Sequence, residues 1–254
     1  MKIIYCWRLV ATGFAFVLFA IVALFLAILL APLIQLFTSS PIKRRSITRK
    51  SIQQSSWIYL RIMRGLGLLS FQFEGLERLN RPGILVIANH PTLLDAIFLM
   101  SVMPATTFIV KAAMARHPVT RWLVNMAGYI PNDNVGVELL EKAATALKAQ
   151  DQLMIFPEGT RTDDSGIEFK RGAANIALAA DCPIVPVLID CRPMTLRKCE
   201  KWYQLPKARP HFYFKVLPEI NPRVIDHQQT KGIQARQLTQ LMQSNLVEEL
   251  RRLA

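Results

Sequence analysis

An imidazole and a carboxylate stand five residues apart in Asn89-His90-Pro91-Thr92-Leu93-Leu94-Asp95, directly after the apolar run Ile84-Leu85-Val86-Ile87-Ala88. In a regular helix five residues turn through about 500° and rise about 7.5 Å, which would put His90 and Asp95 on different faces. They can meet only if His90 lies before the helix. Pro91 suits the first helical position, which predicts His90 in the cap region and Asp95 one turn in. A carboxylate on one ring nitrogen fixes the tautomer, so the other nitrogen can take a proton from a substrate hydroxyl. The chain has four histidines, and five residues beyond His117, His211 and His227 stand Trp122, Val216 and Gly232, so only His90 has an acid at that distance.

A second strand-like run, Leu153-Met154-Ile155-Phe156, leads straight into Pro157-Glu158-Gly159-Thr160-Arg161-Thr162. Gly159 permits a tight turn, Thr160 offers a hydroxyl, and Arg161 offers a planar five-donor fork that matches phosphate or carboxylate. Such a loop can hold an anionic head group. The chain has no G-x-S-x-G elbow to supply a serine nucleophile, no Walker or G-x-G-x-x-G loop, and no His/Cys cluster with zinc spacing. Cys6, Cys182, Cys191 and Cys199 show no C-x2-C spacing and are expected as reduced thiols. We expect no metal and no tightly held cofactor.

The elements that must position these groups read as an α/β core. Strand-like runs at Ile84 to Ala88, Thr107 to Val110, Leu153 to Phe156 and Ile184 to Ile189 alternate with helix-like segments. One helix is expected at Val137 to Ala149 and another within Asn175 to Ala180, where small residues allow close approach to a sheet. Phe212 to Val216 reads as a late strand, and a helix with an apolar face of Leu238, Leu241, Met242 and Leu246 follows. Lys170 and Arg171 are read equally well as a solvated pair or as acceptor-binding cations.

Together His90-x4-Asp95 and Phe156-Pro-Glu-Gly-Thr-Arg161 resemble the glycerolipid acyltransferase family that includes the bacterial 1-acylglycerol-3-phosphate acyltransferases. The resemblance continues through Phe108-Ile109-Val110-Lys111, Phe169-Lys170-Arg171-Gly172-Ala173 and Pro183-Ile184-Val185-Pro186-Val187, and so covers about residues 80 to 190. It implies a glycerol-3-phosphate acyltransferase-like fold, a mixed sheet flanked by helices. It also implies acyl transfer from a thioester of acyl carrier protein or coenzyme A to a lysophospholipid-like hydroxyl, without a covalent enzyme intermediate. His90 would be the base and Asp95 its partner, with Glu158, Gly159, Thr160, Arg161 and Lys111 binding substrate. One departure is Asn134, where the family carries an arginine that helps bind the acceptor phosphate; a neutral amide does not replace a charge-assisted fork. With Tyr5-Cys6-Trp7-Arg8 and Lys201-Trp202-Tyr203, this departure looks like the aryl-polyene-cluster branch, which implies an unusual lipid acceptor.

Hydrophobic residues make up 52% of the 254, and the excess lies at the N-terminus. The 29 positions from Leu9 to Phe37 carry no charge. As helix they would extend about 43 Å against a hydrocarbon core of about 30 Å. A signal peptide has a shorter apolar region and a small-residue cleavage site, so an N-terminal membrane helix is the expectation, as a tilted span, a shorter span with an interfacial tail, or a re-entrant hairpin. Lys43, Arg44, Arg45, Arg49 and Lys50 follow it, against Lys2 and Arg8 before it, which places the catalytic part on the cytoplasmic side of a bacterial inner membrane with the basic cluster against anionic head groups. The expected organisation is 1–40 anchor, 41–220 catalytic domain and 221–254 C-terminal helix. A net charge of +13 also suits nucleic acid, but the basic residues are scattered without interleaved aromatics, and acidic acyl carrier protein is the better polyanion. The rival readings are a catalytically inactive lipid- or carrier-protein-binding relative and a membrane-tethered nucleic-acid binder. The intact His90 and Asp95 pair favours the enzyme.

Overall fold

The computed structural model describes residues 2–103, 105–132, 136–163, 166–226 and 228–253. A long helix opens the chain as α1 (Lys2–Leu24), passes through a π-helical stretch (Phe25–Leu30) and continues as α2 (Ala31–Phe37). Pro32 lacks the N–H that would close the preceding turn, which accounts for the widened turn there. Then follow α3 (Pro41–Gly65), β1 (Ser70–Glu74), β2 (Leu85–Ala88), α4 (Asp95–Val102), β3 (Thr106–Lys111), α5 (Ala112–Arg116), α6 (Thr120–Ala127) and β4 (Ile130–Asn132). The chain ends with α7 (Val137–Lys148), β5 (Gln152–Ile155), α8 (Gly172–Ala180), β6 (Ile184–Arg192), β7 (His211–Val216) and α9 (Lys231–Leu253).

The strands form one seven-stranded mixed sheet in the order β1-β7-β6-β2-β5-β3-β4, with only the β6–β7 pair antiparallel. β2 lies at its centre, between β5 and β6, and all four of its residues are buried. Successive side chains of a strand point to opposite faces. Val86 and Ala88 accordingly join the core under α3 and α4, while Leu85 and Ile87 join the core under α7, α8 and α9. A strand covered on both sides must be apolar throughout, which is why the central run lacks polar alternation.

The N-terminal helix is long and apolar enough to cross a membrane, over Ile3–Phe37, but it is not free-standing. Its narrow inner face, with Ala11, Ala15, Ala27, Ala31 and Ile34 buried, packs along the protein, while Val10, Phe14, Val17, Ile21, Ile28 and Leu36 are exposed. It runs antiparallel to α3: the Tyr59 hydroxyl donates to the Ala15 carbonyl at 3.2 Å, and Leu26 clusters with Ile52. The basic cluster is also not a free surface. Arg49 is buried and donates to the carbonyls of Ala127 (2.7 Å) and Ala105 (2.8 Å), to the Thr107 hydroxyl and to Asp151. Arg44 bonds the Thr38 carbonyl and Arg45 lies 3.6 Å from Asp151, so three of the five cations meant for head groups are engaged by the protein.

Candidate active site

The parallel order of β2 and β5 brings their carboxyl ends side by side, where ligands bind in open α/β sheets. Leu85 is level with Leu153 and Ile87 with Ile155, and just beyond the strands the same offset sets His90 beside Glu158. The helix after β2 starts at Asp95, not at Pro91. Pro91 to Leu94 form a turn that folds the chain back, so the carboxylate stands at the helix N-terminus beneath the imidazole. His90 Nδ1 and Asp95 Oδ2 are 2.8 Å apart. The same oxygen accepts the Thr92 backbone N–H at 2.7 Å, and Oδ1 accepts the Thr92 hydroxyl at 2.6 Å. Asp95 is fully buried, whereas the His90 side chain keeps 18% of its surface.

Phe156 stacks on the imidazole, with ring centres 4.1 Å apart and planes 18° from parallel, so a second element restrains the ring against rotation. The backbone is pinned as well. Glu158 is buried, and its Oε1 accepts the His90 N–H at 2.8 Å and the Thr162 hydroxyl at 2.9 Å, while the Thr162 N–H donates to the His90 carbonyl at 2.7 Å. Asn89 exchanges two 2.8 Å hydrogen bonds with the Ile189 backbone, extending the grip of β6 on β2. Sequence reading missed the work of Asn89 and Thr92. The signal for Thr92 was its place three residues before an acid at a helix start; Asn89 required knowing that β6 is the neighbour.

The expected substrate-binding residues divide. Gly159, Thr160 and Lys111 are exposed at the strand ends. Gly159 has φ +70°, a backbone conformation that favours glycine, and the Lys170 ammonium lies 3.3 Å from where a Cβ would stand. Glu158 instead turns inward to the His90 backbone. Arg161 directs its fork to the carbonyls of Leu196 and Arg197, each 2.9 Å from Nη1, and of Lys198, 3.3 Å from Nη2. Asn134 lies outside the described residues.

Burial pushes the Asp95 carboxyl upward, and the hydrogen bonds from His90 and Thr92 oppose that shift. Burial likewise raises Glu158, against the donors of Thr162 and the His90 backbone. The donors on Asp95 include two that need an acceptor-only oxygen, which suits a carboxylate receiving Nδ1–H. That arrangement leaves Nε2 with its lone pair, and no group among the described residues hydrogen-bonds it. Among the same residues no three His, Cys, Asp or Glu side chains converge as a metal cluster.

The Acyltransferase family model matches residues 70–190, a span that contains both strand-end motifs. The chain is 28% identical over 185 residues to the chloroplastic 1-acyl-sn-glycerol-3-phosphate acyltransferase LPAT1 of Arabidopsis thaliana, covering 70% of this chain and 48% of that one. It is 32% identical over 159 residues to the putative 1-acyl-sn-glycerol-3-phosphate acyltransferase acl-2 of Caenorhabditis elegans, covering 58% and 51%. The aligned stretch thus spans about half the length of these curated relatives. The crystal structure of the 1-acyl-sn-glycerophosphate acyltransferase PlsC from Thermotoga maritima superposes with a TM-score of 0.74 over 97% of both chains, at 19% identity, which is a likeness of fold. Residues 70–190, with the two motifs they carry, are thus the part of the chain that is similar to the acyltransferase family.

Proposed function

We propose that this protein is a membrane-bound O-acyltransferase that moves a fatty acyl group from a thioester, on acyl carrier protein or coenzyme A, to the free hydroxyl of a 1-acylglycerol-3-phosphate-like lipid. The observation that carries this reading is an imidazole with one nitrogen held by a buried carboxylate and the other without a partner among the described residues, in a core that matches the Acyltransferase family model. The acceptor hydroxyl gives its proton to His90 Nε2 as its oxygen attacks the thioester carbonyl carbon. The tetrahedral oxyanion then collapses, the carbon–sulfur bond breaks, and the imidazolium returns the proton to the departing thiolate. Asp95 stabilises the imidazolium between these steps. The products are an ester and a free thiol, and no bond to the protein forms.

Lys111 and Thr160 carry donors at the strand ends where the acceptor head group would rest, with the Lys170 ammonium over Gly159. The outward flank of the N-terminal helix supports contact with the acyl region of a membrane, where the lipid alcohol resides. A helix whose inner face is packed along the protein suits lying in one leaflet better than a free span. The cytoplasmic face of a bacterial inner membrane, where acyl thioesters are made, is the location that fits this chemistry. Asn134 in place of an arginine favours a narrower variant in which the acceptor is an unusual, cluster-specific lipid alcohol.

The test offers the full chain, in lipid micelles, thioesters on each carrier with 1-acylglycerol-3-phosphate and with other lipid alcohols, and follows products by mass spectrometry. A new ester that disappears with His90→Ala is expected. Absence of any ester from every pairing would overturn the proposal.

A further inference from the structure

Between β6 and β7 the chain passes over the candidate site and down to the N-terminal helix, and two distant arginines hold it. At one end Arg161 donates to the carbonyls of Leu196, Arg197 and Lys198. At the other, the buried Arg8 of α1 donates from Nη1 to the carbonyls of Pro206 at 2.9 Å and Lys207 at 3.2 Å. Between these points Trp202 lies against α1, within van der Waals contact of a Cβ built at Gly13 and with its ring centre 6.1 Å from that of Phe16.

The same segment touches the catalytic turn. The Leu196 carbonyl that receives Arg161 also accepts the Leu93 N–H at 3.2 Å, two residues before Asp95. Leu196 has φ +51°, a conformation that leucine rarely adopts and that must be held by its surroundings. Leu196 is buried in the core, and a cavity of about 30 Å³ bordered by Arg8, Leu94, Leu196 and Leu205 lies beside it. The Arg161 guanidinium on its carbonyl adds a charge-assisted hold to that packing.

We propose that Arg161 is a positioning residue and not the ligand of an acceptor phosphate: with Arg8 it suspends residues 196–207 as a strap between the apolar helix and the His90 turn. The geometry of the acid–base pair then depends on where α1 is seated. This rests on the acyl-transfer reading for its kinetic consequence, but not for its structural one.

The experiment compares the full-length protein with Arg161→Ala, Arg161→Lys and Arg8→Ala in mixed micelles. It measures amide hydrogen exchange at Leu93 and across 196–205, together with acyl transfer to a lysolipid bearing a phosphate and to the matching monoacylglycerol without one. Expected is exchange at Leu93 faster by about tenfold or more in all three variants, since lysine cannot bridge several carbonyls. Transfer to the two alcohols should fall by one common factor in kcat, with the acceptor KM moving by about twofold or less. Unchanged exchange, or loss confined to KM for the phosphorylated alcohol and restored by lysine, would overturn the strap. If the unaltered protein acylates neither alcohol, the acyl-transfer reading fails, and the exchange rates alone decide between a strap and none.

Discussion

Two networks of buried charge lie at opposite ends of the sheet. At the amino ends of β3 and β5, Arg49 of α3 meets Asp151, the Thr107 hydroxyl and two backbone carbonyls, and all three of its nitrogens are engaged. At the carboxyl ends of β2 and β5, Asp95 is as fully engaged, yet the half-buried His90 above it has no partner for Nε2 among the described residues. Both networks satisfy their buried charge. Only one leaves a ring nitrogen without a partner among the described residues, with a carboxylate on the other nitrogen to fix its tautomer. On the proposed reading, the difference separates a fastening from a site of chemistry: a closed network spends every donor and acceptor on the protein, and an open one reserves one for substrate.

This contrast can be broken by mutation at either end, and His90→Ala carries the largest expected effect. Acyl transfer should fall by about 10³- to 10⁴-fold through loss of the base, while thermal unfolding shifts by only a few degrees. Turnover within tenfold of the unaltered protein would remove His90 from the chemistry. Asp95→Asn should lower kcat by about 10²- to 10³-fold with little change in KM for the thioester, because the amide no longer enforces the Nδ1–H tautomer. A rise in KM with unchanged kcat would assign Asp95 to binding instead.

Arg49→Ala should behave in the opposite sense. Removing one partner from a buried, hydrogen-bonded network costs about 3–5 kcal/mol of stability. The fraction that remains folded should keep its specific activity, as read by titrating active sites alongside chemical denaturation. Normal stability with lost activity would erase the distinction between the two ends.

The smallest effect is expected from Glu158→Gln, and it depends on pH. Burial holds the Glu158 carboxyl above its ordinary value of 4.5, so the folded protein binds this proton more tightly than the unfolded chain does. The group's contribution is therefore fully present below the unfolded value and is lost as pH rises through the raised one. Gln keeps an oxygen for the His90 N–H and the Thr162 hydroxyl without that loss. The variant should match or exceed the parent by about 2 °C at pH 8 and lose its advantage near pH 4, as melting curves across pH would report. A variant less stable at pH 8 than at pH 4, relative to the parent, would show that the ionised carboxylate is favoured in place.

Much of the fold was legible because its signals are local. The apolar runs that became β2, β3, β5, β6 and β7 were bounded to within a few residues, and Val137–Lys148 matched its helical spacing. β1, with its mixed Ser-Phe-Gln-Phe-Glu pattern, and the three-residue β4 carried too little periodicity to be found. At the site, the His90 and Asp95 contact followed from spacing and strand context, although the helix begins four residues later than Pro91 suggested. Arg161 was legible as a fork but not as to what fills it, because its carbonyl partners lie 35 to 37 residues further along. The basic run after the apolar helix showed the same limit: charge counting saw five cations and could not see Arg49 buried against Asp151, 102 residues away.

What the sequence by itself determined were properties decided within a few residues: where chain must be extended and buried, where a turn must follow, that His90 has an acid within reach, and that one helix is apolar enough for lipid. The tertiary structure decided which groups are spent and which are left open. Hydrogen-bond partners such as Asn89 with Ile189, Arg161 with Leu196 and Arg49 with Asp151 are chosen by strand order and helix seating. Those are set by the sum of many distant apolar contacts, which no local pattern records.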